Sequence, residues 1–146
     1  AKVSAGGGPR WHLNLHSMPS NAYERLGLTE PGPLADVVLG DLHGASCDPH
    51  FVERVATAFR HRGYTVAVND PYAGRDLLHT YGAPHRGHHS LQIEINRAIY
   101  LDEISRELLP RAGKLKADLH EVLKDIASHI RAITEPTPEV TTKESL

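Results

Sequence analysis

The chemistry open to this 146-residue chain centres on a carboxylate set among apolar residues. Glu94 lies in His89-Ser-Leu-Gln-Ile-Glu-Ile-Asn96, where Leu91, Ile93 and Ile95 alternate with Ser90, Gln92, Glu94 and Asn96. Alternation with a period of two is the pattern of a strand. A carboxylate in a buried strand is costly unless it is paired or used. Two readings of Glu94 therefore stand: a general base at a strand end, or one member of an edge strand whose polar face meets water. His16 closes a second alternating run, Trp11-His-Leu-Asn-Leu-His16, and is followed by Ser17 and Pro19. A histidine at a strand terminus facing a loop suits a zinc ligand; a hydrogen-bonded, partly buried histidine is the commoner alternative.

Eleven histidines make a metal hypothesis attractive in general, because neutral imidazole is the commonest metal ligand. Most of the spacings argue against it. His50 and Glu53 sit one helical turn apart, but in the first turn of a helix that must bury Val52, Val55 and Phe59, so they are expected to point to solvent. His88 and His89 are adjacent on a strand and face opposite ways, which prevents both from serving one ion. Cys47 has no histidine at the spacing of a nucleophile pair and reads as a space-filler. Gly40-Asp-Leu-His-Gly44 lacks the glycine spacing and the lysine of a phosphate loop.

These residues need elements to position them. Residues 1–10, with Gly6-Gly7-Gly8, read as a flexible lead-in or a truncation scar. A strand follows over 11–16, then a Gly- and Pro-containing loop over 21–33 and a short apolar strand over 35–40. Asp48-Pro49 is an N-cap with proline at the first helical position, and Gly63 supplies the stop. Thr65–Val68 is the next strand, so the order strand, helix, strand predicts a βαβ unit and a parallel or mixed sheet. Residues 72–87 read as a long loop, the kind that often carries function. Residues 98–109 are expected to be helical up to Pro110. Lys114 to Ile133 is the longest helix, with Leu115, Leu119, Val122, Leu123, Ile126 and Ile130 on one stripe. Residues 134–146, rich in Pro, Thr and Glu, read as a frayed tail. The resulting organisation is one domain over 11–133.

Composition narrows the classes. The chain is 40% hydrophobic, which fits a globular domain. A net charge of −2 from 16 basic and 18 acidic residues argues against nucleic acid or a polybasic membrane contact as partner. No apolar run approaches the length of a membrane span. The single cysteine excludes an intrachain disulfide and a cysteine zinc finger, and points to a reducing, cytoplasmic compartment.

Several long segments, in order, resemble the N-formylglutamate amidohydrolases (N-formylglutamate deformylases) of histidine breakdown. They are His16-Ser-Met-Pro-Ser20, Val38-Leu-Gly-Asp41, Gly44-Ala-Ser-Cys-Asp-Pro49, Gly63-Tyr-Thr-Val-Ala-Val-Asn-Asp-Pro-Tyr-Ala-Gly74, His79-x-Tyr-Gly-x-Pro84, His89-Ser-Leu-Gln-Ile-Glu-Ile-Asn-Arg97 and Tyr100-Leu-Asp-Glu103. The resemblance runs from about Trp11 to Glu103. It implies an α/β fold, a mixed sheet flanked by helices of the zinc carboxypeptidase-like (phosphorylase/hydrolase-like) kind, and zinc-dependent hydrolysis of N-formyl-L-glutamate to formate and L-glutamate. It assigns His16 to the metal and Glu94 to the general base. It makes Ser17, Asn69, Tyr72, His89, Asn96 and Arg97 candidates for holding a small N-acyl amino acid.

Family members are longer, and their first zinc His, their zinc Glu and an Asn-Arg pair for the substrate carboxylate come from a segment before the His-Ser-Met-Pro motif. The chain thus resembles the C-terminal half of such an enzyme, incomplete at its N-terminus and expected to be inactive alone. The alternatives are a non-catalytic or partner-dependent half-domain, or an amidohydrolase for a different N-acyl amino acid. Arg75 stands where the family usually has glycine, a bulky cation that bears on substrate choice.

Overall fold

The computed structural model describes residues 8–29 and 32–135. The expected lead-in over residues 1–7 and the tail over 136–146 lie outside the described residues. Four strands form one mixed sheet: β1 (Arg10–Met18), β2 (Val37–Gly40), β3 (Val66–Val68) and β4 (His88–Asn96), in the order β1-β4-β2-β3. β1 runs parallel to β4 and β2 parallel to β3, while β2 and β4 are antiparallel. The βαβ unit expected from the sequence is present as β2, helix α2 (Pro49–Arg60) and β3.

One face of the sheet is apolar and carries the core. Val37, Leu39, Leu91, Ile93 and Ile95 pack with Phe51, Val52, Val55 and Phe59 of α2 and with Leu115, Val122 and Ile126 of the long helix α4 (Ala112–Thr134). Each large side chain fully buried here contributes about 1.5–3 kcal/mol. The start of α2 is built as its sequence predicts: the Asp48 carboxylate accepts the Phe51 amide at 3.0 Å. Past its end, Gly63 takes a positive φ of 87° that a side chain would resist. Leu123, expected on the buried stripe of α4, is instead 39% exposed.

The opposite face carries the polar members of β1 and β4 and is covered by loops and short helices. Gly40 makes this possible. A Cβ there would lie 2.7 Å from the Ala73 carbonyl carbon, so only glycine lets that loop lie against β2.

Three segments differ from expectation. Residues 21–33 contain a single helical turn, α1 (Ala22–Arg25), ahead of Gly27. Residues 72–87 are not one loop: α3 (Asp76–Tyr81) and a 3-10 turn (Pro84–Arg86) interrupt them. Six residues are too few to display a helical period, yet Leu78 anchors α3 by complete burial. Residues 98–109 are not a helix. A 3-10 turn (Arg97–Ile99) gives way to turns in which the Asp102 carboxylate accepts the amides of Ile104 and Ser105. Side-chain acceptors of this kind compete with helical backbone bonds. The segment has little burial to favour a helix, for Ile104 is 97% and Leu108 71% exposed.

Candidate functional site

Parallel pairing in register sets His16 beside Glu94, with Asn14 beside Gln92 and His12 beside Ser90 one and two steps back. Partners directly opposite in a sheet share a face, so the two alternating runs form one polar ladder. His12 Nδ1 lies 2.8 Å from Ser90 Oγ. Asn14 Nδ2 donates to Gln92 Oε1 at 3.3 Å, and Gln92 Nε2 donates to Glu94 Oε1 at 3.0 Å. His16 Nδ1 stands 3.9 Å from the same Glu94 oxygen.

Glu94 is not on an edge strand. β4 has β1 on one side and β2 on the other, with Val38 opposite Glu94, and Glu94 is buried. Burial pushes its carboxyl above the ordinary carboxylate range, and the nearby His16 and Arg97 pull the other way. His16 sits on the outermost strand with its side chain half exposed. The pair thus joins a buried carboxylate of raised proton affinity to an accessible imidazole, at the carboxyl ends of two parallel strands.

The other candidate residues divide. Asn96 shares the face of Glu94, but its Oδ1 accepts the Ala98 amide at 3.0 Å and so shapes the turn after β4. Ser17 and His89 lie on the opposite, helical face. Ser17 is opposite Ile95 and receives Arg97 Nε on its hydroxyl at 3.2 Å and Arg97 Nη2 on its carbonyl at 3.3 Å. Glu103 joins this knot by accepting the Ser20 amide at 3.0 Å and standing 3.8 Å from Arg97. His89 stacks on Trp11 at 5.0 Å and accepts the Asp48 amide on Nδ1 at 3.2 Å. Asn69, with a φ of 59°, clamps the turn after β2: its Oδ1 accepts the Asp41 amide at 3.0 Å, and its Nδ2 donates to the Asp41 carboxylate at 2.7 Å. Tyr72 follows it, half-buried, in the loop that lies over Gly40. Arg75 is exposed at the start of α3.

His50 and Glu53 stay apart from His16, on the helical side of the sheet. Both are exposed, and Glu53 pairs with Arg60 at 2.8 Å. Cys47 is fully buried, and burial together with Asp41 pushes its thiol up to about 12.

A catalytic zinc needs three protein ligands and an open position. Among the described residues no three His, Cys, Asp or Glu side chains come together as such a set. The His16–Glu94 pair therefore does not by itself complete a zinc site. The ladder residues not singled out for the site from the sequence are His12, Asn14, Ser90 and Gln92. The alternation in His12-Leu-Asn-Leu-His16 and in Ser90-Leu-Gln-Ile-Glu94 is their signal, since it puts them on the faces of His16 and Glu94.

Fold and site together define an α/β chain whose mixed sheet carries a carboxylate–imidazole pair at the ends of parallel strands. A sequence model of the family described as N-formylglutamate amidohydrolase matches residues 1–101, and the chain belongs to that family. It is 34% identical over 73 residues to an N-formylglutamate deformylase of Pseudomonas putida, covering 49% of this chain and 27% of that protein. A second deformylase, from Pseudomonas aeruginosa, is 36% identical over 73 residues with the same coverage. The crystal structure of an N-formylglutamate amidohydrolase from Ralstonia eutropha is similar at a TM-score of 0.81 and 49% identity, covering 84% of this chain and 44% of that one. The chain thus spans less than half the length of each of these relatives. Among the described residues no helix is long and apolar enough to cross a membrane.

Proposed function

We propose that the protein to which these residues belong hydrolyses the N-formyl amide of N-formyl-L-glutamate, giving formate and L-glutamate, with Glu94 as the general base. The observation that carries the proposal is the buried Glu94 carboxylate, held on one oxygen by Gln92 and set 3.9 Å from an exposed imidazole. A base must reach the proton it removes directly or through one water. Glu94 takes a proton from the water that attacks the formyl carbon and returns it to the amine nitrogen as the C–N bond breaks. Burial raises the proton affinity of the carboxylate, which suits both halves of that transfer. His16 is proposed as one ligand of a zinc ion whose remaining donors lie outside the described residues, in a reducing, cytoplasmic setting. The family name and the deformylase relatives support the substrate.

A second reading has a specific observation in its favour. His16 is a single donor, and no set of three comes together among the described residues, so on this reading the chain is a partner-dependent half that is inactive alone. Both readings are tested by measuring zinc content and formate release for the 146-residue chain and for the chain joined to the remainder of a family member. The joined protein is expected to hold zinc and turn over. In it, Glu94→Gln is expected to keep zinc and lose about 10²–10⁴-fold in turnover, and His16→Ala to lose both. Wild-type formate release by Glu94→Gln refutes the role of Glu94. Rapid zinc-dependent turnover by the 146-residue chain alone refutes the half-site.

A further inference from the structure

A carboxylate that is to accept a proton has to be held in one orientation, and the sheet supplies the means two residues away. Gln92 is buried beside Glu94 on β4, and both of its polar atoms are used: Nε2 donates to Glu94 Oε1 at 3.0 Å, and Oε1 accepts Asn14 Nδ2 at 3.3 Å. This chain of bonds has one polarity. An ionised carboxylate only accepts hydrogen bonds, so a reversed Gln92 would press its carbonyl oxygen against Glu94 while its donor lost that partner. Asn14, donating from the neighbouring strand, favours the productive sense. Glu94 Oε2 receives no hydrogen bond from the described residues, so one oxygen is gripped and the other is left for a proton.

We infer that Gln92 is a positioning residue for the base and that Asn14 acts through Gln92 to set the direction of its amide. The inference rests on Glu94 being the base, and it adds that the orientation of that base is imposed by the Asn14–Gln92–Glu94 relay across β1 and β4. Neither amide needs to touch substrate for this role.

The test uses Gln92→Met, Asn14→Leu and the double variant in the protein in which formate release is measured, with crystal structures of each. Met keeps the length of the Gln92 side chain and removes its donor. Leu at the partly exposed position 14 removes only the relay's first donor and leaves the buried Gln92 in place, so it serves where Gln92→Met fails to fold. The Glu94 carboxylate is expected to turn away from its wild-type orientation in Gln92→Met, and the Gln92 side chain to lose its single ordered position in Asn14→Leu. In Gln92→Met, kcat is expected to fall about 10- to 100-fold with KM unchanged, the cost of a misaligned base. The double variant is expected to be no worse than Gln92→Met, since residues acting through one link are not additive. A Glu94 carboxylate that keeps its orientation without Gln92, or additive losses in kcat, overturns the inference. If Glu94→Gln itself retains turnover, the base assignment fails instead, and the crystal structures still decide whether Gln92 orients the carboxylate.

Discussion

Glu94 and Cys47 are both buried, and burial raises the pKa of each, but only one is placed to react. Glu94 has the half-exposed His16 on the neighbouring strand and a donor on one oxygen. Cys47 has no exposed surface, and the charge of the nearby Asp41 adds to the cost that burial sets on a thiolate. A thiol pushed up to about 12 is ionised to roughly one part in ten thousand at pH 8, and reactivity follows the thiolate. Native protein is therefore expected to leave Cys47 unlabelled by a disulfide reagent at pH 8 and to label fully on unfolding. Fast labelling of the folded chain would contradict this. Gly40 is decisive for a different reason, since any side chain there strikes the Ala73 backbone. Gly40→Ala is expected to destabilise the chain by about 1–3 kcal/mol, as overpacking does. Urea unfolding measures the loss, and the Glu94 face would be disturbed with it, because Gly40 lies opposite Gln92.

The start of α2 ties the helix to the central strand β4. Asp48 caps the helix by accepting the Phe51 amide, and the Asp48 amide is in turn accepted by His89 Nδ1. Accepting on Nδ1 requires that nitrogen to be unprotonated. Burial, together with His88, holds the His89 pKa below its ordinary 6.5 against the pull of Asp48. A histidine depressed in the folded state binds fewer protons there than in the unfolded chain, so its stabilisation is present above 6.5 and is lost as pH falls through the folded value. Wild type is expected to lose stability as pH falls below about 6.5, and His89→Phe, which keeps a ring against Trp11, to show a shallower slope. Equal slopes in urea denaturation would place the acid sensitivity elsewhere. Asp48→Ala is expected to cost about 1 kcal/mol.

Much of this was legible: Asp48-Pro49 announced the helix, and the alternation in Trp11–His16 and His89–Asn96 gave both strands and the shared face of Gln92, Glu94 and Asn96. Register was not legible, because nothing in either run says that His16 rather than His12 stands opposite Glu94. The opposite-face positions of Ser17 and His89 follow from the same alternation, yet motif matching alone groups them with the site. The segment after β4 misled because Ala98–Leu109 has helical composition, while Asp102, Arg97 and Glu103 spend their hydrogen bonds on turns and on Ser17 and Ser20.

At the scale of the whole molecule, the sheet has two unequal edges. β3 is three residues long, and brevity protects it. β1 is nine residues long, pairs among the described residues only with β4, and carries Leu15 at 48% exposure. Beside it, Tyr100, Leu108, Leu119 and Leu123 line a groove of about 570 Å³ between the strand and α4. A long open edge next to apolar surface is a template for pairing with another chain. The 146-residue chain on its own is therefore expected to self-associate with rising concentration, as sedimentation velocity would register. Leu15→Lys places a charge on the edge without touching His16, Gln92 or Glu94, whose side chains lie on the other face. It is expected to shift the chain toward monomer while leaving its unfolding free energy in urea within about 0.5 kcal/mol of wild type, as a surface change should. A wild-type chain that remains monomeric at high concentration would mean that β1 is already shielded. In that case the incompleteness of the His16 site would have to be explained without an open strand beside it.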